Sequence, residues 1–109
     1  MEVIRIDERL IQKIVEGITR LTQPDRVILF GSGATGQMTE DSDIDLLVLE
    51  RDVQDMREES CRLYGSLVGL GIPLDIIVMR TERFEETKGV IGGIAYPANK
   101  YGKVIYEAA

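Results

Sequence analysis

Histidine is absent from this chain of 109 residues, and with it go Ser-His and Cys-His nucleophile pairs, imidazole general bases and histidine metal ligands. Any chemistry must run on carboxylates. Cys61 is the only cysteine, which excludes an internal disulfide. Its setting, Glu58-Glu59-Ser60-Cys61-Arg62-Leu63, reads as one position of a helix, so a buried or partly buried structural thiol is expected. No apolar run is long enough to span a bilayer, and Met1-Glu2-Val3-Ile4-Arg5 lacks the basic-then-apolar layout of a signal peptide. The expectation is a cytoplasmic protein with no membrane segment. Positive charge is also scarce: 13 Lys and Arg stand against 19 Asp and Glu, a net charge of -6. That balance repels a phosphate backbone and argues against a broad nucleic-acid surface, although a nucleotide could still bind through metal ions.

What is present is the make-up of an ordinary globular chain, 44% hydrophobic and 29% charged with only 3 Pro, and its length suits a single domain over residues 1–109. Leu10, Ile11, Ile14, Val15, Ile18 and Leu21 recur at spacings of three and four, which predicts an amphipathic helix from Asp7 to Leu21, ended by Pro24-Asp25. Val27-Ile28-Leu29-Phe30 is a short apolar run stopping at Gly31, as expected of a strand buried on both faces. Asp43-Ile44-Asp45-Leu46-Leu47-Val48-Leu49 predicts a second strand with an acidic start. A helix is expected from about Asp52 to Leu70, carrying Val53, Met56, Leu63, Leu67 and Leu70 as its apolar residues and closed by Gly69 and Gly71, and a third strand over Leu74–Met79. Thr81 is a plausible N-cap for a helix to about Thr87 with Phe84 facing inward. Beyond that helix Gly89, Gly92 and Gly93 weaken the pattern, and Gly102 to Glu107 suggests a last short strand. The fold class is therefore α/β in composition, a small mixed sheet with helices packed on it.

Gly31-Ser32-Gly33-Ala34-Thr35-Gly36 satisfies G-x-G-x-x-G, the dinucleotide fingerprint, and Glu50 ends the next strand about where a ribose-binding acid would stand. A Rossmann unit needs a crossover helix of ten or more residues before the next strand, whereas only Gln37 to Ser42 separate Gly36 from Asp43, and they carry one apolar residue, Met38. The P-loop pattern fails as well, because Gln37 and Met38 stand where its Lys and Ser or Thr belong. The plainer alternative is a glycine-rich turn that only lets a strand bend. Against it stands the short link to the acidic strand, which makes the two elements neighbours and lets backbone N–H groups face the carboxylates across a gap suited to an anion held by a cation.

Asp43 and Asp45 lie two apart in an extended segment and project from one face, and Asp75 begins another strand. If that strand lies alongside, three carboxylates converge, and a pair about 5 Å apart repels by about 3 kcal/mol at an effective dielectric of about 20. Such a cluster suits magnesium, a hard ion that takes one or two carboxylates and completes its shell with water and phosphate oxygens. The alternative is a solvated pair of edge-protecting charges and an unrelated strand-end acid.

Phe30-Gly31-Ser32, then Ser42-Asp43-Ile44-Asp45-Leu46, then Asp75, and the Val104-Ile105-Tyr106-Glu107 tail together resemble the minimal nucleotidyltransferase family of the polymerase-beta superfamily. The resemblance implies the polymerase-beta-like fold, magnesium held by Asp43 and Asp45, Asp75 completing the site or helping to activate an incoming hydroxyl, and Gly31 and Ser32 touching the triphosphate of ATP. Family turns commonly read Gly-Ser-Arg-Ala-Arg-Gly; here Gly33 and Thr35 replace the arginines, removing two cations near the phosphates. The resemblance further implies the antitoxin half of a two-gene pair that transfers AMP to a tyrosine of an all-helical HEPN-type ribonuclease partner, within a homo- or hetero-oligomer. A catalytically weak module that neutralises the partner by binding alone is the second reading. Part of the segment around Ile91, Ile94, Ala95 and Tyr96 is expected to be buried by another chain.

Overall fold

Leu10, Ile14 and Ile18 fall four apart, and the helix this spacing predicts is present as α1, Glu8–Thr19, with Ile14 and Ile18 buried. The structure, a computed structural model, describes residues 8–31, 34 and 43–109. After α1 the chain passes the buried Pro24 into β1, Arg26–Phe30, which pairs antiparallel with β2, Ile44–Glu50. An antiparallel pair needs no crossover helix, so the geometry itself removes the Rossmann reading of the glycine turn.

The next helix, α2, runs Met56–Leu67, starting four residues later than the expected Asp52. The reason is local. Asp55 takes an extended backbone and its carboxylate accepts the Glu58 N–H at 3.0 Å, which makes it the N-cap. A 3-10 turn over Val68–Leu70 and a left-handed Gly71, φ 70°, then turn the chain into β3, Leu74–Arg80. Because α2 carries the chain back across the sheet, β3 can lie parallel to β2, with Ile44 opposite Leu74 and Glu50 opposite Arg80. The sheet order is β3-β2-β1-β4, where β4, Lys103–Glu107, closes the far edge antiparallel to β1.

Alternate residues of the strands divide the core into two layers. Val27, Leu29, Leu46, Val48, Ile76 and Val78 meet Ile14 and Ile18 of α1 and Leu63 and Leu67 of α2. On the other face Ile28, Leu47 and Leu49 meet Phe84 of α3, Thr81–Thr87, and Ala95 and Ala98 of α4, Ala95–Tyr101. The mixed α/β architecture is as expected, and so is the inward Phe84.

Four local expectations need correction. Cys61 is exposed, because Leu63 and Leu67 form the stripe of α2 that faces the sheet. Met56, expected on the apolar face of that helix, is exposed at its first turn. Thr81 is the first residue of α3 rather than its cap; Arg80 holds the cap position, and the Thr81 hydroxyl donates instead to Asp25 Oδ2 at 2.5 Å. Finally, α4 forms in a segment whose glycines hide it in the sequence. Pro97 sits in its first turn, where a missing N–H is tolerated, and Gly102 lets the chain pass so close to the Ala98 carbonyl and Ile28 that a Cβ there would collide.

Glu50, the last residue of β2, is the one buried charged side chain among the described residues, 7% exposed. Its Oε1 accepts from the Thr22 hydroxyl, while no donor reaches Oε2. Burial pushes its carboxyl up to about 7; the Thr22 hydrogen bond opposes this and the neighbouring Glu59 carboxylate reinforces it. Glu59 is held below the usual range, chiefly by its hydrogen bonds from Arg62, so of the two neighbouring carboxyls Glu50 is the one that keeps its proton to higher pH. In the unfolded chain Glu50 loses its proton near the ordinary 4.5, whereas the folded chain keeps it to about 7, so the folded state binds more protons in that window and stability falls as pH rises through it. Glu50→Gln preserves the shape and cannot ionise. Urea denaturation should find parent and variant equally stable at pH 4 and the variant more stable at pH 8 by on the order of 2 to 3 kcal/mol. An unchanged difference between the two pH values would contradict the buried acid.

Candidate active site

Asp45 and Asp75 are each the second residue of their strand, and the parallel register sets them directly opposite one another, on neighbouring strands about 4.8 Å apart. Both share the sheet face of Leu47, Leu49, Ile77 and Met79, the side covered by α3 and α4. Asp43 lies two residues before Asp45, so the structure brings the three expected aspartates to one end of one face. Asp45 is half-buried, whereas Asp43 and Asp75 are exposed. Burial raises the Asp45 carboxyl above its usual range, and the charges of Asp75 and then Asp43 raise it further. Asp45 therefore senses both of the others.

Gly31 follows β1 directly, on the strand that places Phe30 opposite Asp45. Its φ of 70° is a left-handed conformation that disfavours a side chain, and a Cβ built on it would run into Asp45 Oδ2. The Ala34 N–H donates to the Gly31 carbonyl at 3.2 Å. Glycine is needed here twice over, for its backbone and for the space. Spacing in the sequence marks Gly31 as a turn and Asp45 as an acid; their contact depends on the β1–β2 register and cannot be read from either alone. Ser32, Gly33 and Thr35 lie outside the described residues.

Among the described residues no three acidic or thiol side chains stand as a ready-made metal cage. The donor set still suits magnesium, which needs only one or two carboxylates, and mutual repulsion of unscreened carboxylates opposes their closing to ligand distance without a cation. A cavity of about 1150 Å³ lies elsewhere, at the opposite end of β2.

The nucleotidyltransferase domain family matches residues 11–96, most of the chain and all of the strands that carry the three aspartates. The chain belongs to that family. No curated protein matches it. Among solved structures it is similar to a chain of a toxin-antitoxin complex with AMP-PNP, 20% identical with a TM-score of 0.62 over 90% of this chain and 73% of that one. It is also similar to a chain of a tri-AMPylated Shewanella oneidensis HEPN toxin in complex with an MNT antitoxin, 20% identical with a TM-score of 0.55, covering 90% and 70%. A third likeness is to the toxin-antitoxin pair MntA-HepT, 18% identical with a TM-score of 0.57, covering 94% and 74%. At these identities the likeness is one of fold. No helix among the described residues is long and apolar enough to cross a membrane.

The contact between Gly31 and Asp45 can be tested apart from any activity. Gly31→Ala should destabilise by about 2 kcal/mol or more, the sum of a left-handed backbone and a collision. In the background of Asp45→Ala the same change should cost about 1 kcal/mol less, because the collision has gone and the backbone strain remains. Equal costs in both backgrounds, measured by urea denaturation, would show that the two residues do not touch.

Proposed function

We propose that the chain is a magnesium-dependent nucleotidyltransferase that transfers AMP from ATP to a hydroxyl, a tyrosine of a HEPN-type toxin partner, and so acts as an antitoxin. The observation that carries the proposal is the register of Asp45 against Asp75 beneath Gly31. Family membership supports the reaction class, and two of the similar structures, an AMPylated HEPN toxin complex and a complex with AMP-PNP, support the acceptor and the nucleotide.

Asp43 and Asp45 would hold the metal and Asp75 would complete the site. Bound there, magnesium would neutralise charge on the triphosphate. Gly31 would let the backbone approach the phosphates, and Ser32 would contribute at the same turn. Asp75, exposed where Asp45 is half-buried and carried on the edge strand of the sheet, can be reached from solvent by an incoming side chain. It would take the hydroxyl proton as the oxygen attacks the α-phosphorus. The new P–O bond forms as the bond to the β-phosphate bridging oxygen breaks, and pyrophosphate leaves. Burial is the chief cause of the raised affinity of Asp45 for a proton, and the charges of Asp75 and Asp43 add a repulsion that a cation would relieve.

The second reading, a module that neutralises its partner by binding, rests on Gly33 and Thr35 in place of arginine. Labelled ATP, magnesium and a HEPN-type protein encoded beside this gene separate the two: label on a partner tyrosine supports transfer, and a stable unlabelled complex supports the module. The exposed apolar residues Val90 and Ile91, 60% and 80% exposed, are where such a partner would dock, while Ala95 of the same segment is already buried in this chain's own core. Ile91→Asp should weaken co-purification with the partner at least tenfold without lowering the melting temperature. Undiminished co-purification would remove this surface from the interface.

The metal site has a test of sign. Without metal, Asp45→Asn removes a repelled charge and should leave the protein as stable as the parent or more so. With magnesium and ATP the order should reverse, since a ligand that binds only the folded state stabilises it and the variant has lost a donor. Melts in chelator and in magnesium with ATP decide the matter: a crossover supports the site, and parallel shifts sink it.

A further inference from the structure

The cavity of about 1150 Å³ lies at the end of β2 away from Asp45 and on the other sheet face, between α2, the α1–β1 connection and the residues just after β2. Its walls carry Asp25, Glu50, Asp52, Asp55, Glu58 and Glu59 against two cations, Arg51 and Arg62. Both cations are engaged. Arg51 Nε pairs with Asp25 at 3.0 Å, and Arg62 holds Glu59 at 2.8 Å and the Leu21 carbonyl at 3.0 Å. A row of acids alone would be a solvated surface. The second observation is Glu50, a cavity residue more than nine-tenths buried whose Oε2 receives no hydrogen bond, with the acceptor-only carboxylate of Glu59 as its neighbour. Once ionised, the pair lacks a donor between them.

We propose that this cavity binds the head of an alkyl-ammonium or alkyl-guanidinium ligand, with Glu50 and Glu59 as its counter-charges. A metal ion is the poorer candidate, since Glu59 is already engaged by Arg62 and one oxygen of Glu50 by the Thr22 hydroxyl, which leaves few carboxylate oxygens to replace a metal's water. A nitrogen cation asks for less. It supplies several N–H donors in one plane or cone, and those satisfy two neighbouring carboxylates. Val53 and Tyr106 on the same walls give an alkyl stem apolar surface to lie against. Binding exchanges the proton on Glu50 for the ligand's charge, so the site favours pH above about 7. The other titratable groups on its walls are Asp25 before β1, Arg51, Asp52 and Asp55 after β2, Glu58, Glu59 and Arg62 of α2 and Tyr106 of β4, and among them all Glu50 is the carboxyl pushed up to about 7.

Titration calorimetry of the whole chain with agmatine, at pH 8 and constant ionic strength, tests the proposal. Saturable binding is expected, about tenfold weaker at pH 6 and at least tenfold weaker in Glu50→Gln at pH 8. That variant places an amide donor against Glu59 and should melt no lower than the parent, so loss of binding cannot be laid to unfolding. N-acetyl-arginine amide distinguishes the source: binding of both probes admits an arginine side chain of a protein, and binding of agmatine alone indicates a free small cation. No binding of either at millimolar concentration, or equal binding by Glu50→Gln, overturns the site. Since the cavity shares no residue with the aspartate cluster, failure here leaves the transferase reading untouched.

Discussion

The parallel pairing of β2 with β3 sets everything at the acidic end of the sheet. Asp75 is thirty residues from Asp45 in sequence and reaches it only because α2 carries the chain over one face and returns it to the adjacent strand in one register. A slip of one residue would send Asp75 to the opposite face. What prevents the slip is apolar. Leu46 and Val48 sit beside Ile76 and Val78 in the layer under α1 and α2, and each such side chain is worth about 1.5–3 kcal/mol when fully buried. Several of these outweigh the roughly 3 kcal/mol by which two neighbouring carboxylates resist being placed together. The core thus holds the acids at close quarters against their own repulsion, which is the condition under which a cation is bound favourably.

The antiparallel partner does the complementary work. Phe30 faces Asp45 across β1 and β2, so the first residue beyond β1 necessarily passes over the Asp45 carboxylate. A side chain at that position would run into the Asp45 carboxylate. Glycine keeps that space open and leaves backbone rather than side chain against the acid. Sterics and chemistry make the same demand of one residue.

Much of this was legible in the sequence because period and burial agree there. The spacing of α1, the unbroken apolar runs of β1 and β2, and the break at Gly71-Ile72-Pro73 each point to one kind of element, and the absence of histidine leaves carboxylates as the only acid-base groups in the ordinary range. What escaped depends on contacts between distant segments. Cys61 looks helical in its local sequence, but which side of α2 faces inward is decided by Leu63 and Leu67 against the sheet. The helix α4 has weak local signals, and it forms because Ala95 and Ala98 are small enough to seat it against Ile28 and Leu47. Thr81 looks like a cap until Asp25, fifty-six positions earlier, competes for its hydroxyl. Glu50 was the furthest from reach: as a strand-end acid it reads as solvated, and only the packing of α2 and the Thr22 turn over it makes it a buried one.

Asp45 and Glu50 lie at opposite ends of one strand, and the odd spacing between them puts them on opposite faces of the sheet. Five residues of strand separate them by about 17 Å, with Leu46, Leu47, Val48 and Leu49 filling the interval. That distance is near twice the Debye length of about 8 Å at physiological salt, so the charge of one acid acts weakly on the other where solvent intervenes. The two ends are consequently able to titrate separately: burial pushes the Glu50 carboxyl up to about 7 at one end, and at the other the half-buried Asp45 is raised by burial and by the charges of the exposed Asp75 and Asp43. Between them β2 is packed closely on both faces, Leu46 and Val48 in one layer and Leu47 and Leu49 in the other, so neither end can shift without disturbing the core that fixes the register.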